Sequence, residues 1–364
     1  MIEKTLKSNK HLRKANGVKN DEFYTQLADI ENELKFYKKE LKGKVVFCNC
    51  DDPFESNFFK YFAANFNALG LKKLITTSFV PSPIAGNQLP LFEVAGLKSI
   101  SKQPFKIEIN EVIDSNKSGS VDISDVEYLL KHDKNVATPL TGNGDFRSKE
   151  SIELLKQADV VCTNPPFSLF REYVAQLIEH NKKFLIIGNQ NAITYKEIFK
   201  LIKENKIWLG QSMNGSNRWF RVPSDYEFSA NAKHKTDDQG NHLIFVNGVV
   251  WFTNMDVPKR HEVVTLYKNF SKDKYQKFDN YDAINVDRYT DIPADYKGVV
   301  AVPITFLHKY NPDQFQIIDG LNRYTVLDVE KLNDWARENH IHLTEINGKS
   351  KYFRILIKNK TLKK

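Results

Sequence analysis

Cysteine is scarce in this chain: Cys48, Cys50 and Cys162 are the three among 364 residues. All lie in or at the end of short apolar runs. So small and odd a number argues against a disulfide framework and for a reducing compartment. Cys48-Asn49-Cys50 is half of a metal-site pattern. No second Cys or His pair stands at ligand spacing, so buried thiols are expected and no metal. Long apolar runs are also missing, and none approaches the length of a membrane span. The opening MIEKTLKSNKHLRKANGVKN is basic and lacks the apolar segment of a secretory signal. The expectation is a cytoplasmic protein with no membrane partner. No fixed-period repeat stands out, and no flexible linker. Acid is in deficit: 53 Lys and Arg against 45 Asp and Glu leave a net charge of +8. That balance suits a polyanionic partner, nucleic acid first and an anionic membrane second, although a merely basic soluble protein would share it.

What is present is enough apolar material for a core, 41% hydrophobic and 12% aromatic residues. The length suggests two domains, or a large one with another attached. Residues 1–20 read as a basic arm. Leu27, Ile30, Leu34 and Tyr37 recur at helical spacing within 21–41. KVVFCNC (44–50) is a short apolar strand. Phe58, Phe59, Phe62, Phe66 and Leu69 predict a helix over 55–70 that stops at Gly70, and LKKLITTSFV (71–80) a second strand. This β–α–β order with a continuously apolar first strand predicts a parallel sheet. A Pro- and Gly-rich excursion (81–104), a strand (105–114), a turn at SNKSGS, a helix (151–158), a strand (159–163), a helix (170–180), a strand (182–189) and a helix (193–206) follow. Alternating strands and helices from 44 to 210 predict a doubly wound α/β domain. After Gly210 the texture turns polar with interleaved aromatics. LIFVNGVVWFTN (243–254) carries Asn-Gly between two apolar runs, a hairpin signal. The chain ends in a basic strand and tail.

In ADVVCTNPPFSLFREYV (158–174) an apolar strand stops abruptly at Asn164-Pro165-Pro166-Phe167. In an open α/β sheet, ligands bind at the carboxyl ends of strands. Two prolines fix φ and donate no N–H, so their carbonyls point where a rigid turn sends them. The Asn164 side chain adds an acceptor. Such acceptors suit the hydrogens of a planar amino group, and Phe167 can stack on the ring that carries it. Two acceptors on an exocyclic amine favour a pyramidal nitrogen and release its lone pair for in-line attack on an electrophilic methyl group. The bland alternative is a surface Pro-Pro turn beside an exposed Phe; the context of strand, motif and helix argues against it.

DVVCTNPPF resembles the signature of S-adenosylmethionine-dependent amino methyltransferases. Within that group the chain resembles the EcoRI-type DNA adenine-N6 methyltransferases, through DEFYTQLADIENEL, KVVFCNCDDPFESNFFKYFAANFNALGLKKLI, GNGDFRSKESIELLKQADVVCTNPPFSLF, KKFLIIGNQNAITYKEIFKLIKENKIWLG, KFDNYDAINV, GVVAVPITFLHKYNP and YFRILIKNK. The resemblance implies a Rossmann-like methyltransferase sheet with a fused mixed α+β recognition part. An S-adenosylmethionine-binding catalytic domain would span 21–210. A mainly target-recognition region would span 211–364, with some of its strands completing the catalytic sheet. It implies methyl transfer to N6 of a flipped-out adenine in double-stranded DNA, by the modification enzyme of a restriction–modification system. The target would be GAATTC. The enzyme would be a monomer, with a cognate endonuclease that shares the site but forms no stable complex with it.

The glycine-rich turn usual after the first strand is absent here, which departs from the general methyltransferase pattern but matches the EcoRI type. S-adenosylmethionine has no phosphates to cradle, so such glycines have less reason to be there. Asn49, Asp51 and Asp52, followed by Pro53, stand past a strand end. Carboxylates there can accept from ribose hydroxyls or an ammonium, or can cap the helix that follows; the resemblance favours the cofactor. It also places Phe23, Tyr24 and Thr25 over the methionine end of the cofactor, where a helix start is the plainer reading. It puts Asp145 and Phe146 of GNGDFRS against the adenine, where a Gly-rich turn is the plainer reading. TTSFV offers no acid for the ribose after the second strand. For DNA, Asn214, Ser216, Asn217 and Arg218 could meet base edges and phosphates and Trp219 or Phe220 could stack, with His234, Lys235, Lys259 and Arg260 as further phosphate contacts. A polar loop with core aromatics is the bland counterpart. Other readings keep Asn-Pro-Pro-Phe but take RNA adenine or protein glutamine as substrate, or make the chain a catalytically inactive DNA-binding relative; N4-cytosine methylation is disfavoured by Asn164.

Overall fold

Apolar runs without alternation become the interior strands of one large sheet. Val45–Cys48 (β1), Val160–Thr163 (β5) and Lys183–Asn189 (β6) are buried almost throughout, as strands covered on both faces must be. The computed structural model describes residues 24–50, 56–78, 104–119, 123–132, 137–215, 217–222, 226, 228, 230–323, 325–326 and 330–361. It divides into two compact units, residues 1–189 with 215–255, and 190–214 with 256–364. The division therefore falls near 190 and 255, not at the expected 210.

The first unit runs through α1 (Leu27–Leu34), β1, α2 (Asn57–Ala64), β2 (Lys73–Thr77), β3 (Phe105–Ile109), α3 (Ile123–His132), β4 (Ala137–Pro139), α4 (Lys149–Gln157), β5, α5 (Phe170–Glu179) and β6. It continues through β7 (Arg218–Arg221), β8 (His234–Thr236), β9 (His242–Val246) and β10 (Val249–Thr253). Its main sheet has the order β4-β3-β2-β1-β5-β6-β10. β2, β1, β5 and β6 pair in parallel, while β3, β4 and β10 join antiparallel. The fold is thus mixed α/β with a large mixed sheet. The chain leaves β1 toward β2 and later returns to β5 on β1's other side, so the strand order reverses between β1 and β5.

The helices follow their apolar spacing. In α5, Phe170, Tyr173, Val174 and Leu177 are buried, one stripe at i, i+3, i+4 and i+7. Ser56 caps α2, its Oγ accepting from Phe58 N at 3.1 Å and Phe59 N at 3.4 Å. Gly70, at φ 61°, ends the short helix after it, where a left-handed residue suits glycine. The helix expected over 21–41 breaks into α1 and a turn at Lys38–Leu41, and the strand expected over 105–114 ends at Ile109.

One expectation fails outright. Asn247-Gly248 does not close a hairpin. β9 pairs with β7 and β8 in a small sheet of order β7-β9-β8, whereas β10 pairs with β6 in the large one. A two-residue type I′ turn needs positive φ at both positions; Gly248 has it at 67°, and Asn247 does not. β10 is buried along its whole length, while β9 is mostly half-buried. The turn therefore passes the chain from a surface sheet into the core.

The second unit holds α6 (Lys196–Lys203), a two-residue strand Trp208–Leu209, β11 (Ile284–Asn285), β12 (Val300–Pro303), β13 (Phe315–Leu321), α7 (Glu330–Glu338) and β14 (Arg354–Asn359). Its sheet runs β11-β12-β14-β13, over a core that includes Phe278, Ala301, Leu321, Ala336, Leu343 and Leu356. Among the described residues no helix is long and apolar enough to cross a membrane.

Candidate active site

The ends of β1 and β5 lie side by side, fixed by the parallel pairs Val46 with Val160 and Phe47 with Val161. Asp159 sets this alignment, its carboxylate accepting from Val45 N at 2.9 Å. Asn49 follows β1 and Asn164 follows β5, at the point where the strand order reverses, which is where open α/β sheets place ligands. Pro165 and Phe167 are buried, and Asn164 and Pro166 half-buried. Phe167 opens a tight turn into α5, with Leu169 N donating to Pro166 O at 3.0 Å. The motif is thus a strand-to-helix corner, held from both sides.

Asn49 is 3% exposed. Its Oδ1 accepts a short hydrogen bond from Tyr173 OH of α5. Its Nδ2 is buried with no hydrogen-bond partner. A buried donor left unmade costs free energy, so this amide is suited to an incoming acceptor. Tyr173 also meets Phe146 edge-on at 5.0 Å, and the Phe146 carbonyl accepts from Gln176 Nε2 at 3.1 Å. Tyr173 therefore ties the loop after β4 to the end of β1. Sequence reasoning missed it because its spacing in α5 reads as core.

Asp145 stands beside Phe146 but is engaged. Arg147 donates from Nε to Oδ1 at 2.9 Å and from Nη2 to Oδ2 at 2.8 Å. These bonds hold the Asp145 carboxyl below the usual carboxylate range. Thr25 is buried, with Oγ1 unpartnered and its carbonyl accepting from Asn57 Nδ2 at 2.7 Å. Tyr24 pairs backbone to backbone with Arg221 of β7. Phe23, Asp51, Asp52, Pro53 and Ser216 lie outside the described residues. The helix-capping role considered for the two aspartates belongs to Ser56.

The nucleic-acid candidates separate. Trp219 of β7 packs on Phe245 of β9 at 4.9 Å. Lys235 Nζ stands 4.7 Å and Lys233 Nζ 5.8 Å from the Trp219 ring. This cation–aromatic face includes Lys233 and Phe245, which sequence reasoning did not single out; their position opposite Trp219 depends on the strand register. His234, on the other face, stacks on Phe228 at 4.1 Å. Arg218 faces Asp29 at 3.3 Å, and Asn217 Oδ1 accepts from Gly248 N at 3.4 Å. In the second unit, Lys259 is 9% exposed and donates to Asn214 Oδ1 at 2.7 Å. Arg260 lies 4.0 Å over Trp208 and donates to Asn205 Oδ1 at 2.8 Å. Lys259 and Arg260 are therefore built into the second unit rather than standing free on its surface.

A strand-end Asn-Pro-Pro-Phe corner on a mixed sheet defines a class of protein, the methyltransferases that act on an amino group. Comparison with known proteins makes the class specific. Residues 11–360 match the family described as adenine-specific methyltransferase EcoRI, and the chain belongs to that family. It is 48% identical over 359 residues to the type II methyltransferase M.EcoRI of Escherichia coli, covering 98% of each chain. It is 38% identical over 357 residues to M.MgeORF184P of Mycoplasma genitalium, covering 97% of this chain and 99% of the relative. It is likewise 38% identical over 357 residues to M.MpnI of Mycoplasma pneumoniae, covering 96% and 98%. No solved structure matches. The protein is a DNA adenine methyltransferase of the restriction–modification type, with double-stranded DNA as its substrate.

Proposed function

We propose that the target adenine, flipped out of the duplex, is held at Asn164-Pro165-Pro166-Phe167, with S-adenosylmethionine beside it at the end of β1. The observation that carries this reading is the buried, unpartnered Nδ2 of Asn49, one strand away from Asn164. That donor suits a hydroxyl or carboxylate oxygen of the cofactor, and the apolar Phe146 with Tyr173 suits its adenine. Tyr24 and Thr25 complete the pocket from the segment before α1, with Phe23, Asp51, Asp52 and Pro53 assigned to it by family resemblance. When bound, the cofactor supplies the electrophilic methyl group. Asn164 Oδ1 and the Pro165 carbonyl accept the two N6 hydrogens, which orients the nitrogen lone pair without a charged base. The surplus N6 proton then leaves to water. Phe167 contacts the base ring.

Duplex DNA is placed along the β7-β9-β8 face by Trp219 and Lys235. GAATTC as target, a monomeric state, a cognate endonuclease and a cytoplasmic location are carried as parts of this proposal. Tritiated methyl transfer to a mixed-sequence duplex, followed by nucleoside analysis and mapping, tests it. N6-methyladenine at one site is expected. Clean cofactor binding without transfer to DNA would overturn it.

A further inference from the structure

From the loop after β3 into the first turn of α3 the sequence reads Asp114-Ser115-Asn116-Lys117-Ser118-Gly119-Ser120-Val121-Asp122-Ile123-Ser124-Asp125. We propose that these twelve residues form an EF-hand-type calcium loop, a site independent of the methyl-transfer reading. An EF-hand takes ligands from positions 1, 3, 5, 7, 9 and 12 and needs glycine at 6. Here position 1 is Asp114, 3 is Asn116, 5 is Ser118, 6 is Gly119, 9 is Asp122 and 12 is Asp125. Positions 7 and 9 fall on Ser120 and Asp122, which lie outside the described residues. Two positions depart from the commonest pattern, Ser118 at the fifth and Asp125, in place of Glu, at the twelfth. Both still supply an oxygen.

The fold brings the described donors together independently of that pattern. Asp114 accepts from Ser118 N at 3.0 Å and from Gly119 N at 2.8 Å, which folds the loop around the first ligand. Gly119 has φ +91°, the sharp turn that the sixth position requires. Asp125, 1% exposed, accepts from Ser115 N at 2.7 Å, so the twelfth ligand returns to the residue beside the first. Asn116 Nδ2 donates to Ser124 Oγ at 3.1 Å, closing the loop's start on its end. A polar turn accounts for an aspartate at one end of a loop. It does not account for an oxygen side chain at every ligand position, glycine at the sixth and a buried carboxylate at the twelfth.

Among the described residues no three His, Cys, Asp or Glu side chains gather; this set draws instead on the neutral oxygens of Asn116 and Ser118. Oxygen-only ligands select a hard cation, and a flexible loop of this length selects calcium over magnesium. The ion would clamp β3 to α3. α3 packs on α2, and Asn67 Nδ2 donates to the Val112 carbonyl just before the loop at 2.9 Å. Its role would be to stabilise the first unit.

The test is calorimetric titration of the chelator-treated full chain with calcium chloride, and separately with magnesium chloride. One calcium per chain is expected, with Kd between about 10 μM and 1 mM and magnesium at least about tenfold weaker. Asp114→Ala should weaken calcium at least about tenfold. Asn116→Ala, at an exposed position, guards against misfolding of the first variant and should also weaken it. Asp238→Asn, exposed in the turn after β8, should leave it unchanged. No calcium binding up to about 10 mM, unchanged affinity in both loop variants, or magnesium bound as tightly would each overturn the assignment.

Discussion

Tyr173→Phe removes one oxygen atom from the pocket floor. The hydroxyl donates to Asn49 Oδ1, both residues are buried, and Asn49 Nδ2 has no partner. Without the hydroxyl, Asn49 Oδ1 keeps only the weak donor Cys50 Sγ at 3.8 Å, and the amide turns more freely. Leaving a buried acceptor with only a weak thiol donor costs at most about 1–3 kcal/mol, the cost of an unmade one. The Phe ring keeps the edge contact with Phe146, so packing loss is small. If Asn49 binds S-adenosylmethionine, part of that cost falls on the complex, because a turned amide presents the wrong atom. The cofactor Kd should then rise about 5- to 100-fold, since each 1.4 kcal/mol is tenfold. The rate at saturating cofactor should change far less. Equilibrium cofactor binding and denaturant unfolding, measured on the same preparations, separate the two effects. A loss of stability with cofactor affinity unchanged within twofold, in both Tyr173→Phe and Asn49→Ala, would refute the reasoning and leave the pair as core.

Asn164→Ala should abolish methyl transfer while leaving cofactor and duplex affinity within a few fold; loss of duplex binding would mark Asn164 as structural. Lys235→Ala should lower the salt dependence of DNA binding by about one unit of slope, and Trp219→Ala should cost about 1–3 kcal/mol of DNA affinity, both read by titrations at several salt concentrations. Gly188→Ala should destabilise the first unit by about 1–3 kcal/mol, because a Cβ there would meet Phe170 at 2.6 Å and Phe252 at 2.9 Å; an unchanged denaturation midpoint contradicts this. His308 is held neutral to about pH 3, first by burial and then by the nearby Lys259 charge. Its unfolded counterpart takes a proton near pH 6.5. Its contribution to stability is therefore present above pH 6.5 and lost as pH falls from there toward 3, by about 1.4 kcal/mol per pH unit. Unfolding measured at pH 7, 5.5 and 4 should show a shallower acid loss in His308→Leu than in the parent; parallel curves would sink the assignment.

Local signals carried the catalytic end of the molecule. β1 and β5 are continuous apolar runs ending on polar residues, so Asn49 and Asn164 could be placed at strand ends before any pairing was known. Which strand ends would be neighbours depended on the reversal between β1 and β5, which follows from the order β–α–β alone only in part. Partnerships set by distant segments were not legible. Val249–Thr253 is as apolar as a hairpin strand would be, and only the vacant edge of β6 gives it a different partner. Tyr173 is indistinguishable in sequence from its buried neighbours on α5, because helical spacing reports which face is inward and not which inward side chain carries a useful hydroxyl. Lys259 and Lys235 are equally basic letters. One is held by Asn214 inside the second unit and the other lies over Trp219 at the surface of the first, a difference made by tertiary packing alone. SNKSGS shows the opposite limit. Read as a turn, it is correct and incomplete, because the ligand order becomes visible only when the span is extended through Asp125 into the helix that follows.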